Sequence, residues 1–249
     1  MSSTPPRSAN PPATRRARLR QQTLDEIKSL ARQQLASSGT GGLSLRGIAR
    51  QMGMAPGALF RYFETQSALI TALCIDAFNE LADSMMQAQE YVSTDPRAQT
   101  RAVCEAYRQW ALAHSGDFAL IAGTPIPGYR AEPLDTGPAA VRPILIFSAA
   151  YLQAIEAGAA TTAQTAIRPV APGPLLLKLY TNADAADPVM VGVVLTAWTS
   201  LTGFLTSEIF GTLGQLVKDV DTLFEDEVTT IMHGMGFHHA TNSEGLTGP

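Results

Sequence analysis

Apolar residues recur along the chain at helical spacing, and no segment alternates apolar and polar residues as a half-buried strand would. From Gln21 to Ser37, residues Leu24, Ile27, Leu30, Ala31 and Leu35 fall on one helical face, which Gly39, Gly41 and Gly42 then interrupt. Ser44 suits the N-cap of a short helix whose Leu45, Ile48, Ala49 and Met52 follow the i, i+3, i+4, i+7 pattern, and Gly53 ends it. Pro56 suits the first turn of the next helix, where a missing N–H costs nothing. Thr65 predicts the start of a long helix reaching Tyr91, and Asp95–Pro96 opens another that runs to His114. Five prolines and three glycines between Gly123 and Pro143 predict a long loop. Ile144 to Glu156 reads as helix, and an Ala/Thr-rich linker follows through Gly173. Pro188–Phe210 and Val220–Met235 are the last helices, before a Gly/Asn/Ser tail beyond His239. The fold class is all-α.

Charge divides the chain. The 249 residues carry a formal net charge of −4, and only 16% are charged, against roughly 25% in an average soluble protein. Residues 1–63 hold ten Lys+Arg and two Asp+Glu, a net of +8, and the remainder hold eight and twenty, a net of −12. A basic head on an acidic body implies that the head alone meets phosphate. Cys74 and Cys104 make no disulfide framework in a chain this long, and each sits among apolar helical residues as a reduced thiol would. The N-terminal stretch has no apolar run, so no secretory signal is expected. Pro188 to Ser207 is uncharged for 20 residues, the length of a membrane span. Its hydroxyl side chains and flanking Asp187 and Glu208, with no Lys/Arg cluster at either end, predict a buried helix of a cytoplasmic protein instead.

Residues 44–63, SLRGIARQMGMAPGALFRYF, place two short helices around a tight turn at Gly53, with Ala49, Met52, Leu59 and Phe63 facing inward. That is a helix-turn-helix, whose second helix enters the major groove of double-stranded DNA. Apolar spacing alone describes any helical hairpin, and charge placement adds the rest. Arg46, Arg50 and Arg61 lie on the helices, and Arg15, Arg16, Arg18 and Arg20 form a flexible arm ahead of them. Arginines pair with phosphates and guanine edges bidentately.

The head resembles the tetracycline-repressor-like (TetR) transcriptional regulators. Ile27, Leu30, Ala31 and Gly39 match the first helix and its break, and Leu45, Ile48, Ala49, Gly53 and Met54 the second helix and turn. Gly57, Leu59, Phe63 and Leu69 match the recognition helix and the start of the fourth. The resemblance implies DNA contacts from Ser44, Arg46, Pro56, Gly57, Ala58, Phe60, Arg61 and Tyr62 together with the arm. Five positions depart from the family pattern, four of them with the loss of a hydroxyl or a charge. Ala55 stands for a capping Ser, Ala58 for Thr, Phe60 for Tyr and Gln66 for a basic residue. A second reading follows from them: a helical small-molecule-binding dimer whose head binds DNA weakly or not at all. Tyr62 stands where a His is common and keeps a hydroxyl able to donate to phosphate.

The body is similar to a TetR subgroup with a Trp-His-Gly signature on the penultimate helix. Trp198, Gly203, Glu208 and Gly211 are in place, while Thr202 occupies the His position. The resemblance implies a homodimer through the last two helices and an unidentified small-molecule effector. Trp110, His114, Phe118, Phe147, Tyr151, Trp198 and Thr202 have the apolar-with-some-polar mixture of a pocket wall. The same aromatics equally suit plain core filling, and His114 a helix cap. Gly192 and Gly203 would admit close helix approach.

Catalytic and cofactor motifs are missing: no Gly-x-Ser-x-Gly elbow, no glycine-rich phosphate loop, no His-Glu-x-x-His pair. His233, His238 and His239 lack carboxylate or thiolate partners at metal-ligand spacing. The predicted organisation is a disordered tail at 1–14, a helix-turn-helix domain at 15–66, a ligand-binding and dimerisation domain at 67–238, and a flexible tail at 239–249. The expected activity is a non-enzymatic, ligand-responsive repressor of a palindromic operator, with no cofactor and no membrane partner.

Overall fold

Twelve α-helices follow one another among the residues that the computed structural model describes: 14–38, 42–92, 94–122, 126, 128–179 and 187–238. They are α1 Arg15–Ser38, α2 Leu45–Gln51, α3 Pro56–Leu59, α4 Gln66–Tyr91, α5 Pro96–Ala113 and α6 Ser115–Ala122. Then come α7 Pro133–Ala140, α8 Arg142–Glu156, α9 Pro174–Leu179, α10 Pro188–Ile209, α11 Thr212–Leu216 and α12 Val220–Gly234. No strand occurs among the described residues, where Ala160 and Phe237 form an isolated antiparallel bridge. Of the tails expected at 1–14 and 239–249, residues 1–13 and 239–249, with His239, lie outside the described residues, as do Gly39, Gly41, Gly123, Pro125 and Pro127. The chain forms two units that divide between Leu69 and Ile70, inside α4.

Helix starts follow the side chains that can cap them. Thr65 Oγ1 accepts from the Ala68 amide at 3.0 Å, Asp95 from Arg97 at 3.1 Å, Asp187 from Val189 at 2.9 Å and Asp219 from Thr222 at 2.9 Å. The expected loop between Gly123 and Pro143 is a correction. Its second half is helical, because Pro133 sits in the first turn, where no N–H is needed, and the Asp135 and Thr136 amides bond to the Glu132 carbonyl at 3.0 and 3.2 Å. Pro138 removes one donor from α7 without ending it. α6, α9 and α11 are short helices that the apolar pattern does not announce.

The larger unit is organised around α10. Met190, Val191, Val193, Val194, Ala197, Leu201 and Leu205 are buried along it, against α5, α8 and α12. A helix this apolar finds in a protein core what it would otherwise seek in lipid. Gly192 gives close approach, but not to a helix as expected. A Cβ there would lie 2.7 Å from Ile167 Cγ2 and 3.0 Å from the Arg168 carbonyl, so an extended segment crosses α10 at this point. That segment is fastened by Val170 N–H to the Pro188 carbonyl at 2.8 Å. At Gly203 a Cβ would meet nothing within 4 Å.

One half-buried ionic group ties three helices. Arg108 of α5 grips Glu208 of α10 through Nε (3.0 and 3.1 Å) and Nη2 (2.6 Å), and also reaches Asp221 of α12 at 2.6 Å. Its guanidinium carbon stands 4.6 Å from the Phe224 ring centre. The Glu208 hydrogen bonds hold the Arg108 pKa above its ordinary value, against the opposing pull of burial. Behind it, fully buried Tyr151 donates its hydroxyl to the Met235 carbonyl at 2.7 Å, pinning the chain after α12 to α8. Replacing Tyr151→Phe leaves that carbonyl unpaired, and we expect a loss of about 1–3 kcal/mol, read as a lower urea midpoint with unchanged slope.

Candidate nucleic-acid interface

In the smaller unit, α1, α2 and α3 enclose a core of Ile27, Ala31, Leu45, Ile48, Ala49, Leu59 and Phe63, all under a tenth exposed. Met52, expected inside, is half-buried. The turn after α2 closes by a Schellman-type pattern: the Met54 amide bonds the Ala49 carbonyl at 2.8 Å while Gly53 adopts φ +65°. A side chain at 53 would be strained there, so glycine is a backbone requirement. Ser44 caps α2, accepting from the Gly47 amide at 3.1 Å. Gln34 of α1, which the sequence pattern passes over, accepts from the Ser44 amide at 2.9 Å and donates to Gln51 Oε1 at 3.3 Å. One amide side chain thereby holds both ends of α2.

α3 lacks the usual side-chain cap, as Ala55 dictates, and is only four residues long. Its continuation tightens into turns, with the Arg61 amide on the Ala58 carbonyl (3.3 Å) and the Tyr62 amide on Leu59 (2.8 Å). Pro56, Gly57, Phe60 and Arg61 are exposed, Ala58 and Tyr62 half-exposed. Glycine at 57 is demanded neither by a positive φ nor by a neighbour, since a Cβ there would meet nothing within 4 Å. Arg46 and Arg50 are exposed four residues apart, on one face of α2.

Arg15 to Arg20 are not a flexible arm. They form the first turns of α1, because Thr14 caps the helix, its hydroxyl accepting from Ala17 at 3.3 Å and its carbonyl from Arg18 at 3.0 Å. Arg, Leu and Gln are good helix formers, so the helix propagates without a buried face. This helical start brings Arg15, Arg16 and Arg20 against Arg61 and Tyr62 around a groove of about 630 Å³, with Leu19 and Thr23 completing its wall. The Arg20 guanidinium carbon lies 5.0 Å from the Tyr62 ring centre. No carboxylate lines the groove among the described residues. Arg18, Ser44 and Arg46 are exposed outside it.

In the larger unit the sequence-predicted pocket residues are drawn together unevenly. Trp198 stacks on Tyr107 at 4.9 Å and 15° and lies 6.1 Å from Phe147; Tyr107 in turn lies 6.2 Å from Phe118. The Tyr107 and Thr202 hydroxyls are 3.5 Å apart. Tyr107 was not among the expected residues, although it precedes Trp110 by three and so shares its helix face. Tyr151 is committed to Met235. His114 is exposed and caps α5, its amide bonding the Trp110 carbonyl at 2.8 Å and its ring stacking on Trp110 at 5.5 Å. Trp110 is 4% exposed, and its indole N–H has no acceptor among the described residues. Tyr129, from the segment before α7, meets the Thr71 hydroxyl at 3.1 Å. Burial pushes the Cys74 thiol up to about 11 and Cys104 up to about 12, so neither offers a thiolate at neutral pH. No metal-binding group of His, Cys, Asp or Glu occurs among the described residues.

Residues 27–73, which hold the helix-turn-helix, match the family model for bacterial regulatory proteins of the tetR family, and residues 100–231 match the tetracyclin repressor-like C-terminal domain. The chain belongs to the tetR family. It is 31% identical to the HTH-type transcriptional regulator Rv1816 of Mycobacterium tuberculosis over 225 residues, covering 88% of this chain and 94% of that protein. It is 32% identical to the regulatory protein SCO4313, whose crystal structure superposes with a TM-score of 0.70 over 88% of this chain and all of that one. RolR, solved with its ligand resorcinol, shares the fold alone: 15% identity and a TM-score of 0.53 over 89% of this chain and 91% of that one. This tetR-family chain is thus similar to DNA-binding transcriptional regulators along nearly its whole length.

Ser44→Ala removes the cap of α2 and one of the bonds that organise the helix-turn-helix. A loss of about 1 kcal/mol is expected in urea unfolding; an unchanged midpoint would show that Gln34 alone sets the helix start.

Proposed function

We propose that this protein is a homodimeric, ligand-responsive repressor, released from a near-palindromic operator by a small molecule. The observation that carries the effector half is the orphaned indole N–H of Trp110, on the same helix as Tyr107, which stacks on Trp198. An unpaired buried donor costs about 1–3 kcal/mol, and an effector's acceptor atom would recover it. Trp198, Gly203, Glu208 and Gly211 support assignment to the Trp-His-Gly subgroup, with Thr202 in the His place. RolR supports the reading in one respect, since a chain of this fold holds a small phenolic ligand.

One helix-turn-helix reads a half-site, so specificity requires a two-fold dimer. The open flank of α10 at Gly203, with Phe210, Leu216 and Val217 exposed nearby in sequence, supplies unpartnered apolar surface for it. In the head, Arg15, Arg16, Arg20 and Arg61 contact phosphates, and Pro56 and Gly57 let the backbone come near the groove floor. Arg18, Ser44, Arg46, Ala58, Phe60 and Tyr62 flank them. The uncapped Ala55 leaves α3 the least secured of the three helices, so the arginines of α1 carry more of the affinity. Release by a tenfold fall in operator affinity needs about 1.4 kcal/mol of coupling between the two sites. The cytoplasm, where operator DNA is found, is the expected location.

Fluorescence anisotropy with the DNA upstream of the protein's own gene tests the DNA half. Each phosphate contact removed by Arg15→Ala or Arg61→Ala should flatten the slope of log affinity against log salt by about 0.9. Binding with no salt dependence, or slopes in both variants identical to that of the unsubstituted protein, would refute the assignment, and no binding even at low salt would favour a ligand-binding dimer that has lost DNA recognition.

A further inference from the structure

Where the last turn of α12 meets the first turns of α5, a groove of about 320 Å³ opens that neither the DNA face nor the Tyr107–Trp198 stack uses. Arg97, Arg101, His233 and His238 line it, and the buried Met232 and Phe237 give it an apolar floor. The two arginines are four residues apart and so share one face of α5. Arg101 is held in place, donating from Nη1 to Glu225 at 2.6 Å and from Nη2 to the Thr229 hydroxyl at 3.0 Å. Arg97 makes no ion pair among the described residues; its guanidinium carbon stands 5.9 Å from the Phe237 ring centre. No carboxylate lines the groove among the described residues, so the wall keeps a surplus of positive charge.

The floor is rigid. Met232 and Phe237 are 8% and 5% exposed. The chain that carries Phe237 is fastened at three points: Tyr151 hydroxyl to the Met235 carbonyl (2.7 Å), Thr161 amide to the Gly236 carbonyl (3.0 Å) and His238 amide to the Ala159 carbonyl (3.3 Å). Gly236 permits this path at φ +78°, since a Cβ there would fall 2.1 Å from the Thr161 carbonyl oxygen. A preformed concavity with an apolar base and an unpaired guanidinium at its rim recognises a ligand with the opposite halves. Guanidinium matches a planar carboxylate bidentately, and the volume sits at the small end of ligand pockets, which begin near about 300 Å³.

We propose that this groove is a binding site for a small organic carboxylate, its charged end on Arg97 and its apolar body on Met232 and Phe237. Titration of the full-length protein with benzoate at constant ionic strength tests it, following the Met232 methyl resonance by NMR and the heat by calorimetry. Saturable binding with a shift of that methyl is expected, weakened at least tenfold in Arg97→Glu. Arg97→Gln, which removes the charge without introducing the opposite one, should weaken it in the same direction and carries the test if the charge reversal fails to fold. Benzyl alcohol, of the same shape without charge, should not bind at the same concentrations. Three outcomes would overturn the proposal: no saturable benzoate binding, binding that leaves the Met232 methyl unmoved or the Arg97 variants unaffected, or inorganic phosphate binding as tightly as benzoate. The first two deny the site, and the third denies the apolar floor a part in it. None of them depends on the DNA or effector reading, because operator affinity is not measured.

Discussion

Burying α10 is the constraint from which the larger unit follows. Its twenty-two residues between Pro188 and Ile209 contain one charge, Glu208 at the end, and an exposed helix of that composition would not stay in solution. Three helices, α5, α8 and α12, must therefore lie against it, and their own composition obeys the demand. α5 is the clearest case. Val103, Ala106, Tyr107, Trp110 and Ala111 turn inward while Arg97, Gln99 and Arg101 stay nearer solvent. Burying a Val, Leu or Met side chain contributes about 1.5–3 kcal/mol, so the six such positions on α10 outweigh any one polar contact. The single charge is not left exposed or orphaned: Arg108 meets Glu208 bidentately and adds Asp221. Removing Arg108 would strand the enclosed Glu208 but not the exposed Asp221, so the Arg108–Glu208 pair fixes the register of α5 on α10 more than it raises stability.

Polar groups in the interior mark where packing alone does not decide. Tyr151 anchors the chain beyond α12, and that anchor determines where Phe237 and the groove beside it lie. Trp110 is the opposite case, a donor enclosed without an acceptor next to side chains that stack closely. Such a donor is a standing cost to the folded chain of about 1–3 kcal/mol.

Much of this was legible in the amino-acid order. Period 3.6 spacing reveals α1 from Gln21 onward, α2, α4, α5, α8, α10 and α12, and the capping residues Ser44, Thr65 and Asp95 fix the starts of α2, α4 and α5 within a residue or two. What escaped has physical reasons. α7 hides behind Pro133 and Pro138, because proline marks a break by composition whether it stands in a first turn or a loop. The helical run of Arg15–Arg20 hides because a helix with no buried face leaves no apolar period, only propensity. Gln34 carries no signature at all: its two bonds cross from one helix to another, and spacing reports only on neighbours along the chain. At the candidate DNA face, residue types were readable and their arrangement was not. Arg15, Arg20 and Arg61 could be named from charge, but only the fold of α1 draws them around one groove with Tyr62.

Gln34 has a consequence for how the head behaves as conditions change. The clasp on α2, the Ser44 cap and the apolar core beneath are all electrically neutral, whereas the arginines face outward. Ionic strength therefore acts on the outer layer and leaves the inner one alone. Such a head keeps one shape across the range of salt that screens its arginines.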